Sequence, residues 1–286
     1  MVETTDLETR SRLTFTTDVA GPVGGDLVLL LHGFPESRHS WREALPALAA
    51  AGYRAVAPDQ RGYSPGARPD PADLSNYAFD KLVADAIEIA AAAGYDGRRF
   101  HLVGHDWGGQ VSWGVANAHP GRLASLTVLS RPHPLSFRRA LAKPDGDQKH
   151  RSRHHRAFLD PETGRLLLAD NARRLREGLF GQDVSRGAVE DHVSILGNAA
   201  AIEAALAWYR SNKGLSGDFG TIKVPTQYIC GDKDATVGPD AARGTGEFVS
   251  AAYAMEVLPG VGHFVMDQAA GRATELMLAH MKKHPV

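Results

Sequence analysis

The chain has 286 residues, 43% hydrophobic and 23% charged, which is ordinary for a soluble globular protein and ample for a sizeable core. A formal net charge of −1 gives no reason to expect nucleic acid or an anionic membrane as partner. A single cysteine, Cys230, excludes an internal disulfide. It ends an apolar run and reads as a buried small hydrophobe, and together with a polar N-terminus and no membrane-length apolar run it points to a cytoplasmic protein.

In chain order, residues 26–31 form a continuous apolar run of strand length, of the kind a parallel sheet buries on both faces. Residues 40–51 have helical spacing and stop at Gly52, and 53–57 is the next strand, closed by Pro58-Asp59. A helix over 77–93 sets Leu82, Val83, Ala86, Ile87 and Ala90 on one face, with Gly94 as its stop. A short strand at 99–103 leads through Gly104-His105-Asp106-Trp107-Gly108-Gly109 into a helix over 110–118, and 123–129 is a further strand. From 133 to about 212 the β-rich runs vanish, and 165–168 and 199–208 read as short helices. Strand signals return at 226–230 and 253–258, and a helix over 268–282 closes the chain. This alternation predicts an α/β fold with a mostly parallel, doubly wound sheet. The helical block predicts a lid, 132–212, inserted into a core made of 1–131 and 213–286.

The hexapeptide 104–109 carries the chemistry. Strand, Gly-x-nucleophile-x-Gly, helix is a nucleophile elbow, a turn so sharp that side chains two places either side of its centre would collide. Here the centre is Asp106. A carboxylate is a good nucleophile toward a strained or activated sp3 carbon, and the alkyl ester it forms must then be cleaved by water. Asp is also a favoured helix N-cap, so the hexapeptide alone leaves a capping role open. An aspartate nucleophile needs oxyanion donors, a base and a carboxylate to hold that base. The N–H of Trp107 and that of Phe34, in the loop after the first apolar strand, are the expected donors. Phe34-Pro35 is expected to be a cis peptide. His263, just past the strand at 253–258, is the expected base among 13 histidines. Asp234 is its expected partner, with Asp232 as the alternative.

With His32-Gly33-Phe34-Pro35-Glu36-Ser37, Asp59-Gln60-Arg61-Gly62-Tyr63-Ser64, Trp208-Tyr209-Arg210 and Gly262-His263-Phe264, these motifs resemble the α/β-hydrolase superfamily, and within it the epoxide hydrolases. The resemblance spans nearly the whole chain. It implies a small-molecule epoxide as substrate, a vicinal diol as product, and neither cofactor nor metal. It assigns Asp59 and Arg61 to bracing the sheet top, and it gives Tyr209 the role of proton donor to the ring oxygen. It also implies substrate contacts at His155 and Trp208. The family commonly has a second lid tyrosine, and here His154 falls on that position. Three readings follow: His154 donates in its place, Tyr209 acts alone, or the reaction is not epoxide opening.

Haloalkane dehalogenation is the alternative, because it uses the same Asp, His and acid, but dehalogenases of that kind carry Asn where Phe34 stands. In the fluoroacetate branch two arginines hold the substrate carboxylate, and here those places are Trp107 and Gln110, which argues against a carboxylate substrate. A non-catalytic ligand-binding protein is the third class, opposed by the intact triad. His150 and His154 share a helical spacing without a further ligand, so no metal site is expected. The sequence admits a homodimer without specifying one.

Overall fold

The computed structural model describes residues 1–181, 184–213 and 218–286. The expected return from lid to core, at 213, borders residues 214–217, which lie outside the described residues. Eight strands form one sheet in the order β1-β2-β4-β3-β5-β6-β7-β8. They are β1 (Glu3–Glu8), β2 (Thr14–Ala20), β3 (Leu27–Leu31), β4 (Arg54–Pro58), β5 (Phe100–His105), β6 (Leu123–Leu129), β7 (Thr226–Gly231) and β8 (Tyr253–Leu258). From β4 to β8 every neighbour pair is parallel, as the apolar runs predict. The β1–β2 hairpin and its pairing to β4 are antiparallel and were not expected from the sequence. At the sheet edge β1 buries little, and its run Glu-Thr-Thr-Asp-Leu-Glu has one apolar residue to betray a strand.

Alternate residues of β3 divide the core. Leu27, Leu29 and Leu31 pack on one face with Leu82, Val83, Val111 and Trp113 from the helices Phe79–Ala90 and Trp107–Ala118. Val28 and Leu30 pack on the other with Leu45 and Leu48 of Ala44–Ala50 and Leu276 and Met277 of Ala270–Lys283. A residue period of two sends neighbouring side chains to opposite faces, so a strand buried on both sides, as β3 is, reads as a near-continuous apolar run. Cys230 is 4% exposed, as its position in an apolar run implies.

Between β6 and β7 the described chain is helical, from Pro134–Ala142 to Ala199–Ser211. The element Thr163–Arg173 breaks at Ala169, so its regular part ends where the run 165–168 does. Arg61 grips Asp85 through two 2.6 Å bonds, Nε to Oδ2 and Nη2 to Oδ1. Asp59 accepts the Arg38 backbone N–H at 2.9 Å and pairs with its guanidinium, which also reaches Asp18. Both residues thus tie loops to the C-terminal edge of the sheet.

Candidate active site

Asp106 stands between β5 and the helix Trp107–Ala118 with φ +46° and ψ −114°, a strained conformation for a non-glycine residue. The flanking glycines make the turn sterically feasible. A Cβ on Gly104 would lie 2.3 Å from the Gly108 carbonyl oxygen and the Ser112 hydroxyl, and one on Gly108 would lie 2.1 Å from the Leu31 carbonyl oxygen. The Asp106 side chain makes no cap bond to its helix. Its Oδ1 instead accepts the Phe34 N–H at 3.1 Å, and its Oδ2 lies 3.7 Å from His263 Nε2. Phe34-Pro35 is cis, as expected. The Trp107 N–H makes no hydrogen bond to the carboxylate, so of the two expected oxyanion donors one is engaged here.

His263 follows β8, and its Nδ1 lies 2.9 Å from Asp234 Oδ2. Asp232, the alternative, instead accepts the Gly260 N–H at 2.7 Å and stays at the surface. Asp234 Oδ1 sits in a small nest, accepting the backbone N–H groups of Thr236 (2.8 Å) and Val237 (3.0 Å) and the Thr236 hydroxyl (2.9 Å). The same hydroxyl oxygen is 2.8 Å from His263 Nδ1. Thr236 therefore bridges acid and base. Nothing in the sequence singled it out, beyond a hydroxyl two residues after the acid.

Burial alone would discharge His263, but the Asp234 carboxylate, and then Asp106, outweigh it and raise its pKa to about 10. Burial would likewise raise Asp106, yet the His263 bond and charge, followed by the Arg131 charge, hold it well below the usual carboxylate range. The resting pair is an imidazolium beside a carboxylate. Behind it lies a second buried pair. Glu36 Oε2 meets His105 Nδ1 at 2.5 Å, and His105 Nε2 donates to the His263 carbonyl at 2.8 Å. Against burial, the Glu36 charge raises His105, so both ring nitrogens act as donors. This pair fixes the backbone of the base. The quoted motif 32–37 contains Glu36, but its sequence gave that residue no role.

A cavity of about 230 Å³ opens above Asp106, lined by Phe34, His154, Phe158, Tyr209 and His263, with Arg151 and Arg153 also on its wall. Tyr209 packs edge-on against Phe34, Phe158 and Trp107. Burial first, and then the Asp106 charge, push its phenol well above its ordinary pKa, which keeps the proton in place. His154 reaches the cavity as well, but not as a spare donor. Burial lowers its pKa, so it is neutral at pH 7. Its Nδ1 lies 3.0 Å from the Arg151 carbonyl, which can only accept, and a neutral ring so bonded presents Nε2 as an acceptor. The expectation that His154 replaces the missing tyrosine meets that obstacle.

His155 packs beside Tyr209 at 5.6 Å without lining the cavity, and burial pushes it down to about 3. Trp208 does not reach the cavity either. It is 2% exposed and its indole N–H donates to the Arg61 carbonyl at 2.9 Å, a structural contact where substrate contact was expected. On a helix, neighbouring positions point about 100° apart, so Trp208 and Tyr209 cannot both face the nucleophile. Among the described residues, Glu36, His192 and Asp267 bring potential ligand atoms within 4.8 Å of one another. Each is committed elsewhere: Glu36 to His105, His192 to Ser37, and Asp267 to Arg42. No helix among the described residues is long and apolar enough to cross a membrane.

The family model of the alpha/beta hydrolase fold matches residues 26–270. Epoxide hydrolase 3 of Xenopus tropicalis is 30% identical over 96% of this chain and 76% of its own length. Epoxide hydrolase A of Mycobacterium tuberculosis is 29% identical over 91% of each chain. Among solved structures, one described as novel epoxide hydrolases from metagenomes of hot environments superposes with a TM-score of 0.84 at 25% identity. That match covers 98% of this chain and 99% of the other.

Proposed function

The chain belongs to the α/β-hydrolase fold family and to its epoxide hydrolases, and from that premise we propose that it opens an epoxide to a vicinal diol through an ester on Asp106. The observation that carries this reading is the Asp106 carboxylate, 3.7 Å from His263, in a cavity whose wall includes the protonated Tyr209.

In the first half-reaction a carboxylate oxygen of Asp106 attacks a ring carbon. The C–O bond breaks, and the departing oxygen takes the Tyr209 proton, because an alkoxide is otherwise a poor leaving group. Esterification removes the Asp106 charge, one of the two that keep His263 protonated, so the imidazolium can return a proton to the tyrosinate. The site now holds a neutral imidazole, the base that the second half-reaction needs. His263, oriented by Asp234 and Thr236, takes a proton from water as the water oxygen attacks the ester carbonyl. The Phe34 N–H, joined by that of Trp107, bears the oxyanion. Collapse releases the diol and restores the carboxylate–imidazolium pair. Lid residues enclose this chemistry, with Tyr209 as the one proton donor and His154 as a wall. No step calls for a cofactor.

Incubation with a panel of epoxides and haloalkanes tests the reading by measuring diol and free halide. Diol formation that disappears in Asp106→Asn is the expected result, and halide release without diol would replace it with dehalogenation.

A further inference from the structure

His154 lines the cavity above Asp106, on the short helix Arg153–Ala157. Two neighbours hold its ring, His155 edge-on with centroids 4.5 Å apart and Phe158 tilted against it at 5.6 Å. Its Nδ1 lies 3.0 Å from the Arg151 carbonyl, three residues back along the chain. A carbonyl can only accept, so Nδ1 carries the hydrogen. An imidazole ordinarily titrates near pH 6.5, and burial lowers this one, so at about pH 8 the ring is neutral and Nε2 is an acceptor. With Nδ1 turned back to the backbone, Nε2 occupies the opposite edge of the ring. Among the described residues no protein donor reaches it, and it is not one of the sealed, unpartnered atoms.

The other side chains of the cavity wall offer donors, or acceptors already spent. Arg151 and Arg153 have only N–H groups to give. Tyr209 brings the hydroxyl whose proton goes to the ring oxygen. The Asp106 carboxylate faces the Phe34 N–H and His263. The Thr236 hydroxyl is committed twice, to Asp234 and to His263. Phe34, Phe158, Leu179 and Phe264 supply apolar surface. Among the described residues, His154 Nε2 is thus the side-chain acceptor on this wall that the reaction leaves unused. A ligand that displaces water from the cavity without offering a donor leaves Nε2 unpaired, which costs free energy; one that brings a donor does not.

We propose that the substrate is an epoxy alcohol, whose hydroxyl, on the carbon next to the ring, donates to His154 Nε2. The inference rests on the epoxide-hydrolase reading above. At about 230 Å³ the cavity is small for a ligand site, so a group against His154 is only a few bonds from the ring carbon that faces Asp106. Tyr209 and His154 then divide the substrate's two oxygens by chemistry. Tyr209 gives a proton to the ring oxygen, whereas His154, with none to give at Nε2, receives the hydrogen bond of the neighbouring hydroxyl. No bond is made or broken at His154, so its part is recognition.

The test measures opening of three epoxides at pH 8: trans-2,3-epoxyhexan-1-ol, its methyl ether, and trans-3,4-epoxyheptane, in which a methyl group replaces the hydroxyl. The ether keeps the inductive effect of oxygen on the ring, and the heptane keeps the size of the alcohol. Wild type is expected to favour the alcohol over both in kcat/KM by roughly fivefold or more, the value of a neutral hydrogen bond with its unpaired alternative. In His154→Phe the alcohol-to-ether ratio should fall to within about twofold of unity, and His154→Gln, which returns a carbonyl oxygen at similar reach, should keep part of the preference. Equal use of the three by wild type, a comparison that needs no variant, overturns the proposal. So does a preference that survives His154→Phe, or a loss in that variant that is equal for all three, which would set Nε2 against the hydroxyl made from the ring oxygen. Calorimetric titration with the cyclopropane analogues of the alcohol and the ether, in which CH2 replaces the ring oxygen, separates this inference from the reaction it rests on. Alcohol-selective binding that His154→Phe abolishes, without diol from any epoxide, supports the acceptor site and overturns the epoxide reading.

Discussion

Thr236→Val removes one hydroxyl from the bridge between Asp234 and His263 and leaves the side-chain shape almost unchanged. That hydroxyl donates to Asp234 Oδ1 at 2.9 Å, and its oxygen lies 2.8 Å from His263 Nδ1. Two backbone N–H groups still hold Oδ1, and the direct 2.9 Å contact from Nδ1 to Oδ2 remains. A hydrogen bond to a charged group contributes roughly 1.5–3 kcal/mol, and the surviving donors place the loss at the lower end. About 1.5 kcal/mol corresponds to roughly tenfold in rate. The loss should fall on ester hydrolysis, where His263 is the base, and not on ester formation, where Asp106 and Tyr209 act. Rapid-quench kinetics with mass detection of the alkyl-enzyme resolves the two steps. Slower decay with unchanged formation is the expected pattern, so the intermediate accumulates. An equal fall in both steps, or no change in either, would refute the reasoning.

Tyr209→Phe removes the proton donor and should slow ester formation by roughly 10²–10⁴-fold, with decay of any ester formed far less affected; formation at the wild-type rate would remove Tyr209 from the reaction. Stability should also follow the charge on His263. Its folded pKa, near 10, lies above the ordinary 6.5, so this contribution is fully present below about pH 6.5 and is lost as pH rises through about 10. Urea midpoints measured between pH 7 and 10 should therefore fall, and fall less in Asp106→Asn, which lacks one of the two stabilising carboxylates; a flat wild-type profile would contradict the imidazolium assignment. Arg61→Met leaves Asp85 buried without its guanidinium and should cost about 3–5 kcal/mol in urea unfolding, whereas a loss below about 1 kcal/mol would deny the bracing role.

Most of the sheet was legible because β3, β5, β6 and β7 are buried along their whole length and are correspondingly rich in apolar residues, β3 without interruption. The hairpin of β1 and β2 was not, since the edge strand β1 can be polar on both sides and the interior β2 carries buried Thr17 and Asp18 in its run. Asp106, Asp234 and His263 were legible for a different reason. Each stands just past a strand, where a parallel sheet gathers its C-terminal ends, so chain order translates into proximity. Trp208 shows the limit of reading a motif as a unit, because adjacent helical residues face different ways. Glu36 with His105 and Thr236 remained hidden because their roles depend on pairings across 69 and 27 residues that no local spacing announces.

A single turnover in ¹⁸O-water, with enzyme in excess over epoxide, tests the ester on Asp106 most directly. The account predicts unlabelled diol, because the oxygen delivered to carbon comes from the carboxylate, and it predicts label in Asp106 itself. Diol carrying solvent oxygen in that first turnover, with an unlabelled Asp106, would mean that water attacks the ring directly and would contradict the covalent mechanism.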